Sequence, residues 1–328
     1  MTELSTVGPP LARPKLDRSL LFGYALAVVC FLVLGVSTPD GFAPDRLLGI
    51  LGSNAALGIV AIGQTLVLLC RGLDMSVGFT MNLAAVVLSA TMAGQDANTP
   101  AALGLALAAG ALVGLVNGLI VVWLRLPPLL ATLAVGTAVQ GGYYVLTKGQ
   151  PKGAIAPGFR EFADGGAFGG TLRWGFLVWL AVWLLAAVLL YRTVPGRRFI
   201  VVGANPRLAF LAGVGVRRHT VAAYVASGLT AAIGGVYLTA FAGSASLTAG
   251  ASYTLASVAA AVIGGVALTG GIGSPTGTFA GVLVLVFLQT ILTTWDVPAP
   301  VQQATQGAVL IVMMLVTLRF VRRGRSDR

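Results

Sequence analysis

Of the side chains that usually perform chemistry, this chain carries one histidine, two cysteines and ten carboxylates, and their spacing assembles none of them into a reactive set. His219 follows Arg217 and Arg218 at a predicted helix start, where a solvated ring is expected. There is no HExxH pair, and Cys30 and Cys70 fall within or at the end of apolar stretches without metal-ligand spacing. Lys15, Lys148 and Lys152 are followed by Leu or Gly rather than Ser or Thr, which excludes a phosphate-binding loop of the GxxxxGK[ST] type. No catalytic residue, no metal and no cofactor are therefore expected on this chain, and ATP hydrolysis by that route is excluded.

Polar residues inside apolar stretches are the remaining chemical signal. Residues 63–82, GQTLVLLCRGLDMSVGFTMN, interrupt a hydrophobic run with a polar turn. In one reading Asp74 caps the following helix by accepting backbone N–H bonds near Ser76. In the other, Gln64, Asp74, Ser76 and Asn82 line a polar pathway, because broken helices are tolerated beside a cavity. Asn54, Asn117, Thr132, Gln140 and Gln289 also fall within apolar spans. Buried amides join helices to one another, or face a pore and bond the hydroxyls of a neutral solute. The pathway set is Gln64, Asp74, Ser76, Asn82, Asn117, Thr132 and Gln289. A second break, LTGGIGSPTG at 268–277, offers glycines for turning and close helix approach but no acid–base group. Ion-coupled transport requires charges buried within spans. Only Asp74 and its neighbour Arg71 approach that, so the energy for any transport is expected to arrive from elsewhere.

The elements that must position these residues are membrane helices. The chain has 328 residues, 57% hydrophobic and 9% charged, against about 25% charged in soluble domains. Runs long enough to cross a bilayer fall at 19–37, 47–70, 75–94, 100–124, 127–147, 172–192, 217–242, 252–269, 275–294 and 301–321. The expected fold is an all-α polytopic bundle of about ten spans, one transmembrane domain over 1–328. The first apolar run lacks a cleavage site and reads as a span. The net charge of +11 punctuates span ends instead of forming a face, which argues against nucleic acid. With both termini inside, sixteen of the lysines and arginines face the cytoplasm and five face outward, as the positive-inside rule requires. Cytoplasmic tails follow at 1–18 and 319–328. The outer loop at 148–173 is too short for a domain and reads as a lid or docking edge. Tyr143, Tyr144, Trp174, Trp179 and Trp295 stand near span ends and are expected to anchor at the interface.

The strongest local pattern lies at 192–218, RTVPGRRFIVVGANPRLAFLAGVGVRR, with six arginines on the cytoplasmic side. Asn205 suits an N-cap, Pro206 the first helical turn, and Gly213 a left-handed end. The short helix between them, with Leu208, Leu211 and Ala212 to one side, cannot persist alone. It must pack on a partner or on lipid.

GQTLVLLCRGLDMSVG, RLPPLLATLAVGTAVQGGYYVLTKGQP, TVPGRRFIVVGANPRLAFLAGVGV and AAAVIGGVALTGGIGSPTGTFAGVL together resemble, in order, the blocks of ribose/xylose-type permeases of ATP-binding cassette importers. That resemblance implies a second permease subunit, cytoplasmic ATP-binding subunits, an extracytoplasmic solute-binding protein and a multi-pass place in the bacterial inner membrane. It also implies that Gly203, Asn205, Pro206, Arg207, Leu208, Ala209, Leu211 and Gly213 form the helix that couples to the ATPase. Two positions depart from it. Arg71-Gly72 stands where a glycine pair is usual, and Ala256 stands where an acidic residue is frequent. The resulting expectation is inward passage of a small neutral hydroxylated solute, most simply a monosaccharide, with no covalent chemistry on this chain. Branched-chain amino acids, nucleosides or a furanose-type signal remain alternatives within the same superfamily. A stand-alone secondary transporter or an intramembrane enzyme has far less support.

Overall fold

The computed structural model describes residues 18–38, 40–167, 170–298, 300–302, 304–309 and 311–312. Helices dominate it: α1 (Arg18–Ser37), α2 (Pro44–Ser53), α3 (Ala55–Leu69), α4 (Val77–Met92), α5 (Thr99–Trp123), α6 (Pro128–Thr147), α7 (Pro157–Asp164), α8 (Trp174–Arg192), α9 (Val194–Ala204), α10 (Pro206–Leu211), α11 (Val216–Ala242), α12 (Ala251–Ile263) and α13 (Pro275–Thr294). A two-residue antiparallel ladder, β1 (Gly166–Ala167) with β2 (Leu172–Arg173), closes the outer loop between α7 and α8.

Helix α3 is the axis of the bundle. Every residue from Ala55 to Leu69 is buried, as expected of a helix that is apolar on all sides. It packs against α8, α11, α12 and α13. Helices α5 and α11 meet most closely, because Gly110, Gly114 and Gly118 recur on one face of α5. A side chain at Gly114 would collide with the carbonyl of Tyr224, and one at Gly110 with the carbonyl of Gly228. Small residues at this spacing let backbones touch. Large apolar side chains point outward, including Val145 at 78% and Leu185 at 70% exposure, as lipid-facing positions do.

Among the described residues six helices are long and apolar enough to cross a membrane, and α2 with α3 adds a seventh as a pair bent by 55°. The expected span at 47–70 is thus broken at Asn54. Its Nδ2 donates to the Ile50 carbonyl at 2.9 Å, and Tyr237 Oη donates to the Gly52 carbonyl at 2.8 Å. These side chains thus add bonds to backbone carbonyls at the bend, where the Ile50 carbonyl also accepts from Asn54 N at 3.2 Å. Helices α4 and α12 have 16 and 13 residues, about 24 and 20 Å, less than the roughly 30 Å of hydrocarbon. The expected span at 252–269 therefore ends early, at Ile263, where Gly264 and Gly265 begin an irregular stretch running to Ser274. Such backbone is tolerated at depth only when protein surrounds it. Most of the expected last span, 301–321, the tail at 319–328 and residues 1–17 of the first tail lie outside the described residues.

The aromatic anchors are corrected in part. Trp295 is 57% exposed, but Trp179 and Tyr143 are fully buried. Trp179 stacks on Phe279 with centroids 4.7 Å apart, in a space that opens because residue 58 is glycine. Position near a span end says nothing about which way a ring points, and these two face the core. The outer loop is ordered by the stack of Phe162 on Trp174 at 5.3 Å and an Arg160–Asp164 ion pair at 3.9 Å.

Candidate functional site

The segment at 192–218 folds as two helices, not one. Thr193 caps α9, its Oγ1 accepting from Gly196 N at 3.1 Å. Asn205 ends α9 in an extended conformation and caps α10, its Oδ1 accepting from Arg207 N at 3.0 Å and Leu208 N at 3.1 Å. Pro206 occupies the first turn. Gly213 takes φ +75°, and Val214 N returns to the Ala209 carbonyl at 2.9 Å. Helix α10 is thus fixed at both ends by the residues that the pattern predicts.

Its two faces differ. Ala209 is fully buried in a cluster with Leu66, Leu69, Phe199, Val202 and Tyr224. Leu208, Phe210 and Leu211 are 62%, 72% and 73% exposed. The three large apolar side chains exposed on this one short turn form an apolar surface patch. Phe210 was missed from sequence, although its place one residue before Leu211 was visible. Ala212 is exposed but contributes little area.

Behind α10, four segments converge. Arg71 Nε donates to the Gly203 carbonyl at 2.5 Å, and its Nη2 to the Ala204 carbonyl at 2.8 Å. Gly271 N donates to the Leu69 carbonyl at 3.0 Å. A Cβ at Gly203 would strike the Leu69 carbonyl, which is why only glycine fits there. Arg71 itself has φ +63°, the left-handed region that favours glycine. The departure from the expected glycine pair thus has a local cost, set against two charge-assisted bonds to the end of α9.

Arg71 opens the loop that carries Asp74, and there the predicted polar residues meet. Asp74 Oδ1 accepts from Ser76 N at 2.9 Å and Ser76 Oγ at 2.6 Å, while Oδ2 accepts from Ser227 Oγ of α11 at 2.7 Å. Asn117 Nδ2 of α5 donates to Ser76 Oγ at 2.7 Å. Thr132 Oγ1 of α6 accepts from Met75 N at 3.0 Å and donates to backbone carbonyls. Asp74, Ser76, Asn117 and Thr132 are all buried. One loop is therefore pinned to α5, α6 and α11. Ser227 was not anticipated, since a serine in an apolar helix carries no signal until its partner is known.

Asn82 stands apart from this network, in the first half of α4. Its Nδ2 donates to the Leu247 carbonyl at 2.9 Å and its Oδ1 accepts from Gly250 N at 2.8 Å, which ties the loop between α11 and α12 to α4. Gln64 is fully buried, and neither polar atom of its amide has a hydrogen-bond partner among the described residues. Gln289 is exposed. It lines a cavity of about 220 Å³ with Asn54, Ser252, Tyr253, Ala256 and Gln302 among others. That cavity lies at the end of α3 away from α10, and none of its lining residues is charged.

No cluster of potential metal ligands occurs among the described residues. His219 Nδ1 lies 2.9 Å from the Gly215 carbonyl, and its ring meets Phe199 edge-on.

A bundle without reactive residues, with exposed apolar side chains on a capped helix at one end and an uncharged polar cavity at the other, has the form of a transport permease. Residues 46–318 match the family described as the permease component of branched-chain amino acid transport systems, and the chain belongs to that family. It is 34% identical over 294 residues to the ribose import permease protein RbsC of Escherichia coli K12, covering 88% of this chain and 90% of that one. The ribose import permease of Haemophilus influenzae is 31% identical over 296 residues, 88% and 90% of the two chains. The autoinducer 2 import system permease protein LsrD of Escherichia coli K12 is 31% identical over 305 residues, 90% and 92%. No solved structure matches.

Proposed function

We propose that this chain is the membrane permease of an ATP-binding cassette importer and carries a small neutral hydroxylated solute, most simply a monosaccharide, into the bacterial cytoplasm. The observation that carries the proposal is α10: a helix capped by Asn205, closed by Gly213 and exposing Leu208, Phe210 and Leu211, which directly follows the end of α9 that Arg71 ties to the loop of Asp74. An ATP-binding subunit gripping that helix would move the Asp74 loop, and with it α5, α6 and α11. The ribose permeases among the relatives support a sugar as the solute. The uncharged cavity at Gln289, rich in amides and hydroxyls, matches a solute that donates and accepts hydrogen bonds without charge.

In this reading the bundle has about ten spans, counted as α1, the α2–α3 pair, α4, α5, α6, α8, α11, α12, α13 and the last apolar run, with both termini cytoplasmic. That count puts α9 and α10 inside, in agreement with their arginines. A second permease chain, two ATP-binding subunits and an extracytoplasmic binding protein complete the assembly. The likeness to the autoinducer 2 permease favours a furanose-type signal as the second reading.

The test is reconstitution of the full assembly in vesicles, with ATP hydrolysis and uptake followed as solute-loaded binding protein is added. Stimulation that requires all components, with a pentose or hexose as the retained solute, is the expected result. Accumulation of solute by this chain alone would overturn the proposal. Retention of autoinducer 2 would favour the second reading.

A further inference from the structure

A surface groove of about 650 Å³ runs between α5 and α11, and the residues that line it belong neither to the polar network nor to α10. Leu119, Val122 and Trp123 form one wall, and Val221, Ala222, Val225 and Leu229 of α11 form much of the other. At one end stand Arg217 and Arg218. Both are exposed, and among the described residues neither has a carboxylate within 4.0 Å.

The groove follows from the helix contact beneath it. Gly114 and Gly118 bring α5 against the backbone of Tyr224 and Val221, so larger side chains on either side splay apart and leave a channel. Arg217 to Leu229 spans about 18 Å of α11 at 1.5 Å per residue. One leaflet of a roughly 30 Å hydrocarbon core has about that depth. Trp123 is 69% exposed at the arginine end, where an indole marks the level of lipid headgroups.

From this match of depth, apolar walls and unpaired positive charge, we infer that the groove between α5 and α11 binds one anionic phospholipid. An acyl chain lies along Val221, Val225 and Leu229, and the headgroup phosphate rests on Arg217 and Arg218. Basic residues at the rim of an apolar intramembrane groove recognise such headgroups, and two adjacent guanidinium groups suit phosphate oxygens. Because Arg217 follows α10 by only a few residues, the lipid would also steady the start of α11.

The test is native mass spectrometry of the purified full chain after exposure to phosphatidylglycerol or phosphatidylcholine. One phosphatidylglycerol is expected to stay bound per chain, with at least ten-fold lower occupancy by phosphatidylcholine. Arg217→Gln with Arg218→Gln should remove that preference, and Arg217→Lys with Arg218→Lys should keep most of it. Ala222→Trp, a change at an exposed position, should block the groove and lower occupancy by both lipids. Equal retention of the two lipids, or unchanged binding in the glutamine variant, would overturn the inference. So would displacement by glycerol 3-phosphate, which would indicate a simple phosphate site. Efficient cross-linking of two chains through Ala222→Cys would instead assign the groove to a second copy.

Discussion

Arg71 and Gly203 are joined by a hydrogen bond from guanidinium Nε to carbonyl at 2.5 Å, and this contact links the end of α9, just before the exposed helix α10, to the buried Asp74 loop. The two residues are 132 positions apart. Around them the ends of α3 and α9 and the irregular stretch after α12 share one node. Backbone carbonyls of α3 and α9 accept most of the bonds at this node, which leaves little side-chain slack.

Arg71→Gly separates geometry from linkage. Glycine relieves the left-handed conformation but donates to neither Gly203 nor Ala204. Folded yield should stay within two-fold of the parent, while stimulation of ATP hydrolysis by loaded binding protein falls at least ten-fold. Arg71→Ala should lose both, since it keeps the strain, about 1–2 kcal/mol, and loses the bonds. Undiminished stimulation in the glycine variant would remove Arg71 from the coupling path.

Leu208→Asp and Leu211→Asp place charge on the exposed face of α10, where no internal packing is lost. The protein should insert and elute as a single species, yet solute-stimulated ATP hydrolysis in the assembly should be abolished. Ala209→Leu offers the contrast. Its side chain must enter a filled cluster, and overpacking there costs about 1–3 kcal/mol, seen as a lower melting temperature.

Asp74→Asn keeps the volume of the side chain but leaves one oxygen to serve three donors from Ser76 and Ser227. A buried donor left without a partner costs about 1–3 kcal/mol. Folded yield, read by fluorescence-detected size exclusion, should fall while relative uptake of different solutes is unchanged. A shifted preference at full yield would move Asp74 from scaffold to pathway.

Asn82→Ala releases both Leu247 and Gly250 from α4. Amide exchange should accelerate at least ten-fold at Gly250, with little change in α3. Equal exchange in the two proteins would show that the loop holds without this amide.

Much of the scaffold was legible in the sequence because burial in a membrane imposes long apolar runs. The spans corresponding to α1, α5, α6, α8, α11 and α13 fall within two residues of their expected ends. Helix α10 was also legible, since Asn205, Pro206 and Gly213 are local capping signals that act within a few residues. The break at Asn54 and the early end of α12 were not, because an apolar run has the same composition whether it is straight, bent or cut short.

The sequence by itself determined that this protein is a helical membrane chain carrying a capped helix among arginines. Those features follow from composition, charge asymmetry and short-range backbone chemistry. Only the tertiary structure decided what the polar residues do. Asp74, Ser76, Asn117 and Ser227 meet because the glycine face of α5 draws that helix against α11, while Gln289 is left beside an open cavity. Which helix faces meet depends on packing between residues more than a hundred positions apart, and no local pattern encodes that.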